Sequence, residues 1–171
     1  MTGPERCAGC GFDSTRMTVP DAIAGLRSMG RRWRELFAEA PDDALRHRPA
    51  PDVWSAVEYA DHTASMLALV GVGMSEVLDG SRPSYPEIEP LPPGPDRSAV
   101  LDVESTLDAL SENADRIADR AEEALELPER FRRTGSLGDH EVTAEWLLFH
   151  ALHDASHHLR DVEKGLAAVR A

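Results

Sequence analysis

Apolar residues recur in steps of three and four over four stretches of this chain, and no stretch gives a strand signal. The first stretch opens at Thr18-Val-Pro-Asp21, a capped start with proline in the first turn and an acid three residues after the cap. Ile23, Leu26, Trp33, Leu36 and Phe37 carry it to about residue 40, where Pro41, Pro49 and Pro51 mark a connection. The second, from about residue 52 to 78, is apolar over most of its circumference, which predicts a largely buried helix. Glu58, Asp61 and Ser65 form its narrow polar arc. The third, from about residue 98 to 127, sets Val100, Val103, Leu107, Leu110, Ala114, Ile117, Ala121 and Ala124 along one seam and stops before Pro128. Residues 80–96 hold six of the twelve prolines and read as a long, semi-rigid crossover, while 130–142 reads as a polar turn. The pattern predicts an all-α fold, a four-helix bundle with a long Pro-rich crossover between helices 2 and 3.

The fourth stretch, residues 143 to 162, carries the chemistry. Thr143 offers an N-cap, and Leu148, Leu152, Ala155, Leu159 and Val162 fall in one stripe on a wheel of about 100° per residue. Four of the seven histidines lie here: His150, His153, His157 and His158. Asp154 and His158 border the core stripe one turn apart, so both can converge on one point. His153 and His157 point more nearly away. Imidazole and carboxylate together suit a borderline divalent cation such as Zn, Ni or Fe. A further ligand must come from another helix, and His62, beside Tyr59, Met66 and Leu69 in the second, supplies it.

Composition narrows the class. A length of 171 residues suits one domain, and a net charge of −13 argues against a nucleic-acid surface. No apolar run approaches the ~20 residues that span a bilayer, and the opening residues lack the pattern of a signal peptide, so a cytoplasmic location is expected. Residues 1–17 read as a flexible segment around Cys7-Ala-Gly-Cys10, with the bundle occupying 18–171. CxxC is half of a zinc site or a redox pair, and a redox pair usually opens a helix after a strand.

Three separated pieces resemble the DinB-like (damage-inducible) superfamily of metal-binding bundles, in the form common in actinobacteria. They are Cys7-x-x-Cys10-Gly-Phe-Asp, Trp54-Ser-x-x-Glu58-Tyr-Ala-x-His62, and His153-Asp154-x-x-His157-His158-x-x-Asp161. The resemblance implies a divalent metal held by one histidine of the second helix and two of the last, in a pattern H-x-x-H-H. Laid on this chain, Asp154 stands where a third histidine is expected; sliding the match by one residue substitutes His153 and His157. The reading preferred is His62, Asp154 and His158. The superfamily includes thiol S-transferases using mycothiol and a mycothiol-dependent maleylpyruvate isomerase, so mycothiol is an implied cosubstrate.

Three functions compete. A three-ligand metal leaves an open position and makes a thiol S-transferase or hydrolase, with Glu58 and Asp161 as candidates for support or proton transfer. Alternatively, Cys7 and Cys10 fold back to meet His62 and His158 and close a structural site. In the third, the bundle binds a ligand or dimerises. A small-molecule or thiol substrate and a homodimer are the partners expected, with neither nucleic acid nor membrane.

Overall fold

The structure, a computed structural model, describes residues 3–86 and 93–169. Four long helices form it: α1 (Val19–Ala38), α3 (Ala56–Leu78), α4 (Val103–Ala124) and α5 (Ala144–Val169). A short helix, α2 (Asp42–Arg46), lies within the connection expected after Pro41. Around the bundle the order is α1, α4, α3, α5, so α3 and α5 are neighbours along their length. Among the described residues no helix is long and apolar enough to cross a membrane.

Caps set the helix starts. Thr18 and Asp21 form the capping box of α1, and Thr143 Oγ1 accepts from Trp146 N at 3.0 Å at the head of α5. The second long helix starts at Ala56, not near residue 52, because Ser55 and Glu58 close a capping box there. Likewise the third starts after Asp102, whose carboxylate accepts from Ser105 N at 2.8 Å. Val100 therefore stands outside the seam and is exposed. The stripe expected on α5 is buried throughout, facing Trp33, Leu26, Met29, Leu67 and Leu110 in the core.

A small sheet adds to the four-helix bundle without changing the architecture. Strands β2 (Thr134–Leu137) and β3 (His140–Thr143) make an antiparallel hairpin, and β1 (Ser84–Tyr85) pairs with β2 in parallel. Gly138, with φ of 56°, takes the first central position of the two-residue turn, where glycine is favoured. Strands of four residues are too short to show a period in the sequence. Part of the Pro-rich crossover, residues 87–92, lies outside the described residues.

Glu58 was expected on a polar arc and is buried instead. Its carboxylate pairs with Arg48, accepting from Nε at 2.8 Å and also from the terminal nitrogen. Arg97 N and Ser55 N each donate to it at 3.0 Å. The connection before α3 and the end of the crossover are thereby tied to the first turn of that helix.

The bundle is tightest where α1 meets α4. A Cβ on Gly30 would come within 2.1 Å of Ser111 Oγ and 2.7 Å of its Cβ. Gly30→Ala is expected to lose about 1–3 kcal/mol through overpacking, read by urea unfolding. A variant as stable as the parent would contradict this packing.

Candidate metal centre

His62 lies on the side of α3 that faces α5. There it meets Asp154 and His158, and ligand atoms from all three lie within 4.8 Å of one another. His158 Nε2 stands 3.3 Å from Asp154 Oδ1, and its Nδ1 stands 3.6 Å from Asp161 Oδ2. Two aromatic rings that the sequence reading did not assign to the site wall it on the α3 side. Trp54 lies 4.7 Å from the His62 ring and Tyr59 lies 5.3 Å from His158, centroid to centroid.

The electrostatics suit a cation. Burial, helped by the neighbouring His158, lowers the pKa of His62 and keeps the ring neutral, with a lone pair available. Burial alone would raise Asp154, yet the hydrogen bond and charge of His158 hold it below the usual carboxylate range. Burial would lower His158, and Asp154 outweighs it, so without an ion this ring tends to hold a proton beside Asp154, which a bound metal would displace. Asp154 Oδ2 is buried with no hydrogen-bond partner. An orphaned carboxylate oxygen between two imidazoles fits a borderline divalent ion.

His153 and His157 face away from this point, as the helical wheel predicts, but they do not face solvent. Residues 5–14 fold into a small hairpin that packs on them: Cys7 N donates to Phe12 O at 2.9 Å and Ser14 N to Glu5 O at 2.9 Å. Phe12 stacks on His153 at 4.7 Å, and Cys7 Sγ lies 3.3 Å from His157 Nδ1. Glu5 meets His150 Nδ1 at 2.7 Å and His153 Nδ1 at 3.4 Å, while His150 stacks on Trp146. The segment expected to be flexible is thus docked, and its cysteines meet His153 and His157 rather than His62 and His158. His153 is pushed up to about 9, chiefly by Glu5, and Cys7 is drawn down to about 6, chiefly by His153. Burial pushes Cys10 up.

The two residues expected to assist chemistry part company. Glu58 is consumed by its ion pair with Arg48. Burial would raise its pKa, but Arg48, the Arg97 amide and Ser55 hold it at about 2, so it cannot take a proton near neutrality. Asp161 is well placed: one oxygen, Oδ2, lies 3.3 Å from His157 Nε2 and 3.6 Å from His158 Nδ1. On His158 it stands on the ring side away from the nitrogen that faces Asp154, the side on which a carboxylate commonly supports a metal-bound histidine. Asp161→Asn is expected to weaken metal binding by about 10–100-fold with little change in melting temperature. Unchanged affinity, measured by competition with a chelator, would remove that role.

Fold and site together define a four-helix bundle that brings two histidines and a carboxylate to one point between its second long helix and its last. The chain belongs to the DinB superfamily, whose family model matches residues 26–162. The matched span takes in His62, Asp154 and His158 and leaves the Cys7–Cys10 hairpin outside it. Among solved structures the chain is similar to YfiT from Bacillus subtilis, described as a probable metal-dependent hydrolase with an unusual four-helix bundle topology. The TM-score is 0.72 at 17% identity, covering 89% of this chain and 87% of that one, a likeness of fold. No curated protein matches the sequence.

Proposed function

We propose that this protein is a metal-dependent hydrolase acting on a small molecule, with His62, Asp154 and His158 holding the ion. The observation that carries this reading is the donor count. Three donors converge between α3 and α5, and the two cysteines that could have closed the set are engaged elsewhere. A divalent ion with an open position supplies a water or thiol of lowered pKa and polarises a carbonyl oxygen. Zn, Ni and Fe all suit two imidazoles and one carboxylate.

The chain's own residues supply the rest. Asp161 Oδ2 faces Nδ1 of His158 at 3.6 Å, beyond hydrogen-bond reach, and its charge on that side favours Nε2 as the ligand atom. Trp54 and Tyr59 shield one side from solvent. One turn further along the same groove, beyond His62 on α3 and before Asp154 on α5, lies an apolar cavity of about 130 Å³. Met66, Leu69, Val70, Val142, Trp146 and Leu147 contribute to its walls. That volume is close to one that takes a benzene-sized guest, at about 150 Å³. We assign it to an apolar group of the substrate next to the scissile bond.

Protein loaded with Zn(II), Ni(II) or Fe(II) in turn is to be assayed on esters and amides whose acyl groups run from acetyl to benzoyl. In parallel, it is offered mycothiol and an electrophile, the reaction implied by the mycothiol-using relatives. Metal-dependent hydrolysis favouring the apolar acyl groups, and lost in His62→Ala, is the expected result. Thiol transfer without hydrolysis would replace the reaction but keep the centre, and a metal-loaded protein inert in both arms would refute the enzyme.

The homodimer expected from the apolar second helix is a separate proposal. Leu69 and Val72, 44% and 56% exposed, are the apolar residues α3 leaves uncovered. Sedimentation showing only monomer at micromolar concentration would exclude it.

A further inference from the structure

The geometry points to a second metal centre, a closed Cys2His2 site formed by Cys7, Cys10, His153 and His157 that staples the N-terminal hairpin to α5. Ligand atoms of these four residues lie within 4.8 Å of one another. The donor set and its spacing, C-x2-C with H-x3-H, are those of structural zinc sites. His153 and His157 are one turn apart on α5, so both rings project from the same face. Cys7 and Cys10 come from the tight turn of the hairpin, and both are free thiols.

Three features of the surroundings support a ligand role over mere packing. Both ring nitrogens of His153 are buried without a hydrogen-bond partner, although Glu5 Oε2 comes within 3.4 Å of Nδ1. A buried imidazole with neither nitrogen satisfied is costly unless something completes it. A carboxylate also stands near one nitrogen of each histidine: Glu5 Oε2 at 3.4 Å from Nδ1 of His153 without hydrogen-bonding it, and Asp161 at 3.3 Å from Nε2 of His157. That leaves Nε2 of His153 and Nδ1 of His157, the latter 3.3 Å from Cys7 Sγ, as ligand atoms. Carboxylates behind metal-bound histidines set the ring orientation in this way. Finally, the hairpin backbone approaches closely at Gly9, where a Cβ would stand 3.2 Å from His157 Cε1. A side chain there would crowd the His157 ring by a few tenths of an ångström, so glycine suits the close approach of the turn.

Four protein ligands leave no open position, so the site stabilises structure and does no chemistry on a substrate. Its consequence is positional. The staple fixes Phe12 and Glu5 on α5, and through Asp161 it shares one carboxylate with His158 of the other centre. Neither centre supplies a ligand to the other, so one can fail while the other stands.

Cobalt tests the proposal, because thiolate ligands give a cobalt charge-transfer band that histidine and carboxylate do not. Co(II) is titrated anaerobically into full-length, reduced apo-protein, and Zn(II) is then added in competition. The expected result is a thiolate charge-transfer band that saturates at about one equivalent and is displaced by Zn(II). The band is retained in His62→Ala and weakened in Cys7→Ser, which keeps only the Cys10 thiolate and where Zn(II) affinity at this site falls at least about 100-fold. His157→Gln, which keeps both thiols, is expected to lose the tetrahedral spectrum as well. A wild-type protein with reduced thiols and no charge-transfer band would overturn the proposal, and this measurement needs no variant to fold. A band lost in His62→Ala and kept in His157→Gln would also overturn it, by placing the cysteines on the other metal.

Discussion

His62→Ala is expected to weaken metal binding at the α3–α5 centre by about 100–1,000-fold, if about 10 kcal/mol of binding is shared among three donors. Turnover should fall at least as far at limiting metal. His62 is the right residue to remove because the fold asks little of it. It meets Trp54 at a tilt and His158 edge-on, and no hydrogen bond in the described structure depends on it. His158→Ala is a harsher test, since it strips Asp154 of the imidazole that holds its charge in a buried place. That variant is expected to lose metal and also stability, and a lone buried carboxylate would then favour its protonated form. Isothermal titration of the apo-variants with Zn(II), with circular dichroism to follow folding, separates the two effects. Retention of full affinity in His62→Ala would mean that the ion sits elsewhere.

Arg48→Ala is expected to cost about 3–5 kcal/mol, the largest stability loss of any single change outside the apolar core. The pair is buried, with Arg48 13% and Glu58 6% exposed, and Glu58 collects donors from Arg48, Ser55 and Arg97. Removing the guanidinium leaves a carboxylate in the interior facing two amides and a hydroxyl. Those partners satisfy its geometry and cannot cancel its charge. The pH dependence follows with a definite sign. Glu58 falls from an ordinary value of 4.5 to about 2 in the folded protein, so its stabilising contribution is present above about 4.5. It disappears as pH falls from there towards 2, and at full extent amounts to about 3 kcal/mol. Urea unfolding at pH 7 and pH 3 should show the parent losing roughly 2 kcal/mol of this increment and Arg48→Ala losing less. Equal losses in both proteins would indicate that other carboxylates carry the acid sensitivity.

Local rules made the helices legible. Thr18 with Asp21, and Thr143 ahead of an apolar stripe, are start signals written in adjacent residues, and the structure uses both. The Asp154–His158 pair was visible for the same reason, since helical spacing alone places the two side chains together. What spacing cannot show is which distant segment covers a given face. The histidines that point away from the core were read only as an alternative ligand pair beside His62, because their partner hairpin lies about 150 residues earlier in the chain. CxxC in one place and H-x3-H in another were each half of a site, and only the fold-back of residues 5–14 joins them. Glu58 was misplaced for a related reason: its neighbours on α3 are polar, while the Arg48 that buries it comes from the preceding loop. The small sheet was hidden by strand length, although Gly138-Asp139 between Leu137 and Val142 was a usable turn signal.

The measurement closest to the central claim is anomalous diffraction at the zinc edge from crystals of the full-length protein grown with Zn(II). Anomalous density is expected among His62 of α3 and Asp154 and His158 of α5, with a non-protein ligand completing the coordination. No density at that point, or a fourth protein side chain closing it, would contradict a catalytic centre there.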